Sequence, residues 1–239
     1  MWTISSTLTR AGDWPLIPSV WRFLLRWRFR IFQRRRYGRM VVEEVAGHHF
    51  VVLPTVFNPK LFRTGEFLAE TLDSRLIPPR SAVLDLGTGS GVGAVVAARW
   101  ARRVLAVDIN PEAVRCARVN VLLNRVEERV EVRPGDLFVP VQGERFDRIL
   151  FNPPYYEGTP RDAADQTWRG IDLPKRLASE LSEHLRPDGS ALVTLSTDAD
   201  ERLFVQALES QGFRVEVVAE RPLVNETLRV YRAERANSC

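Results

Sequence analysis

From Ser81 onward short apolar runs alternate with longer amphipathic ones, and this alternation limits the fold more than any other feature of the chain. The runs "SAVLDLG", "RVLAVD", "RVEVRPGD", "FDRILFN", "SALVTLS", "FRVEVVAE" and "TLRVYRAE" read as strands. Helices are predicted between most of them. One covers 92–102. The next, "NPEAVRCARVNVLLN", has Asn110 as N-cap and Pro111 in its first turn. "LPKRLASELSEHL" is stopped by Arg186-Pro187-Asp188-Gly189, and "DERLFVQALESQ" follows the fifth strand. Such a pattern predicts an α/β fold whose sheet is mostly parallel, with helices on both faces. No helix separates the last two strands, so the seventh returns antiparallel. A ligand of such a sheet sits at the carboxyl ends of the strands, near the switch in strand order.

Upstream of the sheet, "MVVEEV" and "HHFVVL" flank Ala46-Gly47 and predict a β-hairpin. "TVFNPKLF" reads as a loop, and a helix is expected from Thr64 to about Ser74. Residues 1–40 are different in kind. They hold nine Arg and one Asp, a net of +8, while residues 41–239 hold 25 basic and 29 acidic residues, a net of −4; together these give the chain's +4. The division expected is a basic, aromatic extension over 1–40 and one globular domain over 41–239, in which 41–80 precede the sheet. Within the extension, Val20, Leu24, Trp27 and Ile31 fall on one helical stripe and Arg22, Arg26, Arg30 and Arg34 on another, which predicts a helix over 16–36. Arginine interrupts "VWRFLLRWRFRIFQRRR" too often for a signal peptide, and no run is apolar enough for a membrane span. The two cysteines, Cys116 and Cys239, offer neither a disulfide framework nor metal-ligand spacing, which fits a reduced, cytoplasmic setting. His48 and His49 read as strand residues, and no metal is expected.

Chemistry-bearing residues cluster at the strand ends. "VLDLGTGSGVGA" places Gly87, Thr88, Gly89 and Gly91 in a strand-to-helix turn, where glycine lets a ligand approach closely. The turn alone also satisfies a loose dinucleotide fingerprint. Asp85 discriminates: a carboxylate at the mouth of the loop repels a pyrophosphate and suits a cation. S-adenosylmethionine carries an ammonium and a sulfonium and no phosphate. Asp108 ends the second strand and can accept from both ribose hydroxyls. Asp136, after the third strand, can accept from an adenine amino group, with Ile109 and Leu137 as walls of the ring's slot. Each acid also has a structural reading: Asp85 as a buried cap of local amides, Asp108 as a helix N-cap, Asp136 as a turn residue.

The fourth strand runs into Asn152-Pro153-Pro154-Tyr155. The side-chain oxygen of Asn152 and the carbonyl of Pro153 are two acceptors for the N–H groups of a planar nitrogen, and the prolines fix them in advance. Tyr155 offers a ring to stack on a flat group. Together, "VLDLGTGSG", Asp108, "GDLF" and "FNPPYYEG" resemble the class I S-adenosylmethionine-dependent methyltransferases, over roughly residues 50–235. The Asn-Pro-Pro-Tyr form is similar to the amino-group methyltransferases, including release-factor glutamine methyltransferases of the HemK type and enzymes that methylate adenine or guanine amines. The resemblance implies a Rossmann-like methyltransferase sheet and S-adenosyl-L-methionine as methyl donor. "VLPTVFNPKLFRTGEFLAETL" is similar to the segment that closes over the cofactor in the glutamine-methylating branch, which implies a cofactor role for Thr64. "DQTWRGIDL" resembles the Trp-Gly stretch of the short members. The separate helical substrate domain of the bacterial enzymes is expected to have no room in this sequence, and the basic extension belongs to none of these patterns.

Three readings of function follow. The first is N-methylation of a side-chain amide in a protein, such as a release factor. The second is methylation of an exocyclic amine in RNA or DNA. The third is a non-enzymatic cofactor-binding or tethering module. The acidic body favours a protein substrate over nucleic acid, whose phosphates call for a basic cleft. The basic segment Arg22–Arg39 points the other way, towards RNA, the ribosome or an anionic membrane surface.

Overall fold

A computed structural model describes residues 39–153, 173–197, 201–224 and 226–236. The helix expected over 16–36, and Pro154 and Tyr155, lie outside the described residues. Strands Val41–Val45 (β1) and His48–Val52 (β2) form the expected antiparallel hairpin, with Ala46 and Gly47 at φ of 50° and 77° in its turn. Two short helices, Pro59–Phe62 (α1) and Thr64–Thr71 (α2), follow. The sequence read α1 as loop. It is a single turn made by Asn58, whose Oδ1 accepts from the amides of Lys60 and Leu61 ahead of Pro59.

The main sheet contains Ala82–Leu86 (β3), Arg103–Asp108 (β4), Val130–Pro134 (β5), Phe146–Phe151 (β6), Leu185–Ser196 (β7), Phe213–Pro222 (β8) and Thr227–Arg235 (β9). Its seven strands lie in the order β5-β4-β3-β6-β7-β9-β8. All neighbours are parallel except β9, which pairs antiparallel with both β7 and β8. The last strand thus inserts between its two predecessors. Burial explains the choice: Leu228, Val230 and Ala233 of β9 are wholly buried, while β8 buries only Phe213 among half-exposed and exposed residues and suits an edge.

Alternate residues of the central strands serve opposite faces. Val83, Val104, Ala106 and Leu150 pack with α2, with Val92–Ala97 (α3) and with Pro111–Leu123 (α4). Leu84, Leu86, Leu105, Ile149 and Phe151 pack with Leu173–His184 (α5) and Glu201–Ser210 (α6). Helices therefore cover both faces. One boundary differs from expectation. Arg186–Gly189 does not end before the next strand; it loops out of β7, because Leu185 pairs with Phe146 and Ser190 already pairs with Arg148. Arg186 holds the loop through both oxygens of Asp147.

The chain runs outward from β3 to β4 and β5, then crosses to β6 on the other side of β3. The order switches between β3 and β6, and the crevice at their carboxyl ends is bounded by the glycine turn and by Asn152.

Candidate active site

Asp85 is 4% exposed and lies below the loop, not at its mouth. Alternation along β3 turns it to the same face as Val83, under the start of α3. There its Oδ2 accepts from Thr88 Oγ1 at 2.6 Å and from the Ala94 amide at 2.9 Å. Burial is the main force that raises its pKa, to about 7; Asp108 nearby adds to the rise, and the two hydrogen bonds oppose it. Gly93 is required here, since a Cβ at that position would stand 2.9 Å from Asp85 Oδ1.

Asp108 is buried at the end of β4 and uses both oxygens. Oδ2 accepts from the Gly89 amide at 2.8 Å and Oδ1 from the Asn110 amide at 2.9 Å. It does not cap α4; Asn110 does, accepting from Glu112. Burial also raises the Asp108 pKa, against the amides of Asn110, Gly89 and Ile109. Each oxygen has a further lone pair for a ligand hydroxyl. Two buried carboxylates with raised pKa values flank one glycine turn, an environment that favours a bound cation and disfavours a phosphate.

Asp136 is half-buried beyond β5 and is not a free acceptor. Arg176 of α5 donates to its Oδ2 at 2.6 Å, which leaves Oδ1 for a ligand amine. Ile109 is half-buried, whereas Leu137 is buried in the core beside Phe138. The Leu137 backbone has φ of 44°, a conformation costly for a leucine and concentrated at functional sites.

On the opposite side of the crevice, Phe57 and α2 approach the glycine turn and Asn152. A Cβ on Gly89 would meet Phe57 Cβ at 3.8 Å, and one on Gly65 would meet Asn152 Nδ2 at 3.6 Å. Among the described residues, two buried atoms here have no hydrogen-bond partner: Thr64 Oγ1 and Asn152 Oδ1. Buried polar atoms without partners are rare in folded proteins and mark places where a ligand completes the bonding. Pro153 is buried behind Asn152.

Sequence reading missed Asn120. It is wholly buried in α4, and its amide donates to the Val51 and Ser90 carbonyls at 2.7 and 2.8 Å while Oδ1 accepts from the Val51 amide at 2.8 Å. One side chain thus joins the hairpin to the glycine turn. Asn124, one helical turn on, binds the His49 carbonyl at 2.9 Å and faces His48 Nδ1 at 3.2 Å. The spacing of two asparagines four residues apart on a helix was the available signal. Among the described residues no group of His, Cys, Asp or Glu is placed to hold a metal, and no helix is long and apolar enough to cross a membrane.

Residues 47–221 match the model of the methyltransferase small domain. The chain belongs to that family. Its type is the class I S-adenosylmethionine-dependent methyltransferase, and the chain spans about 59% of the length of a curated relative that it matches. A release factor glutamine methyltransferase of Koribacter versatilis is 36% identical over 169 residues, which are 64% of this chain and 59% of that protein. A Methanocaldococcus jannaschii protein whose name gives it as an N5-glutamine methyltransferase is 30% identical over 74% of this chain and 93% of its own length. Among solved structures, the Thermus thermophilus 16S rRNA N2 G1207 methyltransferase, in complex with AdoMet and guanosine, superposes with a TM-score of 0.60 at 21% identity. That match covers 83% of this chain and 50% of the other, and it shows the shared fold. The family's cofactor is S-adenosyl-L-methionine. The residues present fit it: two buried acids flank the turn, Asp108 and Asp136 retain acceptor capacity, and Thr64 and Asn152 each keep a buried oxygen unpaired.

Proposed function

We propose that this protein is an N-methyltransferase that acts on a planar nitrogen, with the glutamine side-chain amide of a protein as substrate. The buried, unpartnered Oδ1 of Asn152 at the strand-order switch carries the reading. A carboxamide nitrogen is a poor nucleophile because its lone pair is delocalised. Asn152 Oδ1 accepts one of its N–H groups and the Pro153 carbonyl the other, which holds the nitrogen with its lone pair towards the reaction centre. These bonds strengthen as the nitrogen becomes tetrahedral, so they act chiefly in the transition state. The cofactor supplies an electrophilic methyl group on a sulfonium. Asp108 holds the ribose, Asp136 and Ile109 the adenine, and the negative field of Asp85 and Asp108 favours the cationic end. Pro154 and Tyr155 complete the motif, with Tyr155 stacking on the amide plane. No general base is needed before transfer; the proton leaves afterwards.

Support for a protein amide comes from the acidic body and from relatives named for glutamine methylation. The second reading, an exocyclic base amine, is favoured by the likeness to the rRNA enzyme and by the basic segment Arg22–Arg39. The experiment is incubation of the protein with methyl-labelled S-adenosylmethionine and a cell lysate. Label released by protease and resistant to nuclease supports the amide. Label released by nuclease selects the base amine.

A further inference from the structure

We infer that the amino ends of β3, β4 and β5 form a second binding surface, for the phosphodiester backbone of RNA. Arg102 and Arg129 immediately precede β4 and β5, Arg80 stands two residues before β3, and with Trp100 and Ala101 they line an open cavity of about 400 Å³. The Arg99 guanidinium lies over the Trp100 ring, 5.1 Å from its centre. All four arginines are exposed. Their backbones are tied to one another. The Arg80 amide donates to the Trp100 carbonyl, Arg102 to Ser81, and Val104 to the Arg129 carbonyl, at 3.2, 2.9 and 2.7 Å. Arg129 is fixed further by its Nη1, which donates to the Ala98 carbonyl at 3.1 Å.

The cluster is unlike the paired arginines of the sheet. Arg133, Arg229 and Arg232 each stand between two carboxylates. Among the described residues, none of Arg80, Arg99, Arg102 and Arg129 forms an ion pair, although Glu127 and Glu128 are close in sequence. Neighbouring strands are about 4.8 Å apart, so the three arginines leave adjacent positions on a rigid sheet end and line one cavity. Their planar forks match phosphate oxygens in two-pronged hydrogen bonds, and a cluster of arginines on one face is the electrostatic footprint of nucleic-acid binding. A lipid surface fits less well, because Trp100 packs against the core and has no free ring to insert. The surface is at the strand ends opposite the crevice, so a bound RNA need not enter the active site. The inference is independent of which nitrogen is methylated.

The test uses the full chain, fluorescently labelled uridine homopolymer RNA and a salt series. Arg80→Gln/Arg102→Gln should reduce the slope of log affinity against log salt by about 1.4, since each phosphate contact to a single strand contributes about 0.7. Arg80→Lys/Arg102→Lys should restore most of the slope. S-adenosylhomocysteine affinity should stay within about twofold in both variants, as expected of a site at the other end of the strands. An unchanged slope in the glutamine variant overturns the inference. So does loss of adhesion to phosphatidylserine vesicles with the RNA slope intact, which would assign the surface to lipid.

Discussion

Two residues carry opposite kinds of information about the site. Asn152 has an oxygen that is buried and unused, so removing it should cost the fold little and the reaction much. Asn152→Ala is expected to slow single-turnover methyl transfer by about 10²–10³ while S-adenosylhomocysteine still binds. Full activity would reduce the Asn-Pro-Pro-Tyr corner to a stiff junction. Asp85 is instead engaged through its Oδ2 by Thr88 and Ala94, and its pKa is raised from 3.8 to about 7. A carboxyl that holds its proton in the folded state up to about 7 but loses it near 3.8 when unfolded makes the cofactor-free protein less stable as pH rises through that window. Denaturant titrations should show Asp85→Asn flattening this fall, because the neutral amide keeps an oxygen for Thr88 and Ala94. The same group should make S-adenosylhomocysteine bind more tightly as pH rises through about 7, since its ammonium prefers the ionised acid. Affinity independent of pH across that range, measured by calorimetry, would remove Asp85 from the cofactor's field.

At the scale of elements, the site is held by contacts between pieces distant in sequence. The hairpin β1–β2 packs on α4 and is joined to the glycine turn by Asn120, which hydrogen-bonds to both Val51 and Ser90, while Cys116 Sγ also donates to the Val51 carbonyl at 3.2 Å. Asn120→Ala would leave the Val51 amide and two carbonyls without that partner inside the core. Its expected cost is about 2–4 kcal/mol, from several buried groups at roughly 1–3 kcal/mol each with partial compensation. Urea denaturation measures it, and cofactor affinity should fall with it because the turn loosens. Asn120→Asp should not rescue, since it loses the two donors. The junction of α1 and α2 shows a similar economy. Arg63 at φ 58° breaks one helix and starts the next, which brings Gly65 to Asn152. The sequence announced the second helix by its apolar spacing. It did not announce the first, because a single capped turn has no periodicity to detect.

At the scale of the molecule, the chain divides by charge. The cofactor motifs all lie after Met40, and the basic segment before it has a net charge of the opposite sign to the rest. A chain beginning at Val41 is expected to fold and to bind S-adenosylhomocysteine with near-unchanged affinity. It should lose the part of salt-sensitive RNA or vesicle adhesion that arises from the extension. Loss of cofactor affinity in a folded truncated protein would make the extension part of the site. The arginine row at the opposite sheet end should persist in that shortened chain, so residual RNA binding would separate the two basic regions.

The seven strands, the helices between them and the turn residues were legible because each is written in local periodicity and local chemistry: alternation, an N-cap asparagine, a proline after it, glycines at a strand end. The antiparallel return of the last strand was legible too, from the missing helix. Strand order was not, since pairing joins segments far apart in sequence, and the insertion of β9 between β7 and β8 depends on which of two similar strands buries more. The same holds at the site. The sequence placed acids at three successive strand ends, but only packing decided that Asp85 faces inward beneath α3, that Arg176 takes one oxygen of Asp136, and that Asn120 binds the glycine turn. A residue's type and spacing fix what chemistry it can do; the neighbours brought to it by non-local contacts fix which of those possibilities it keeps.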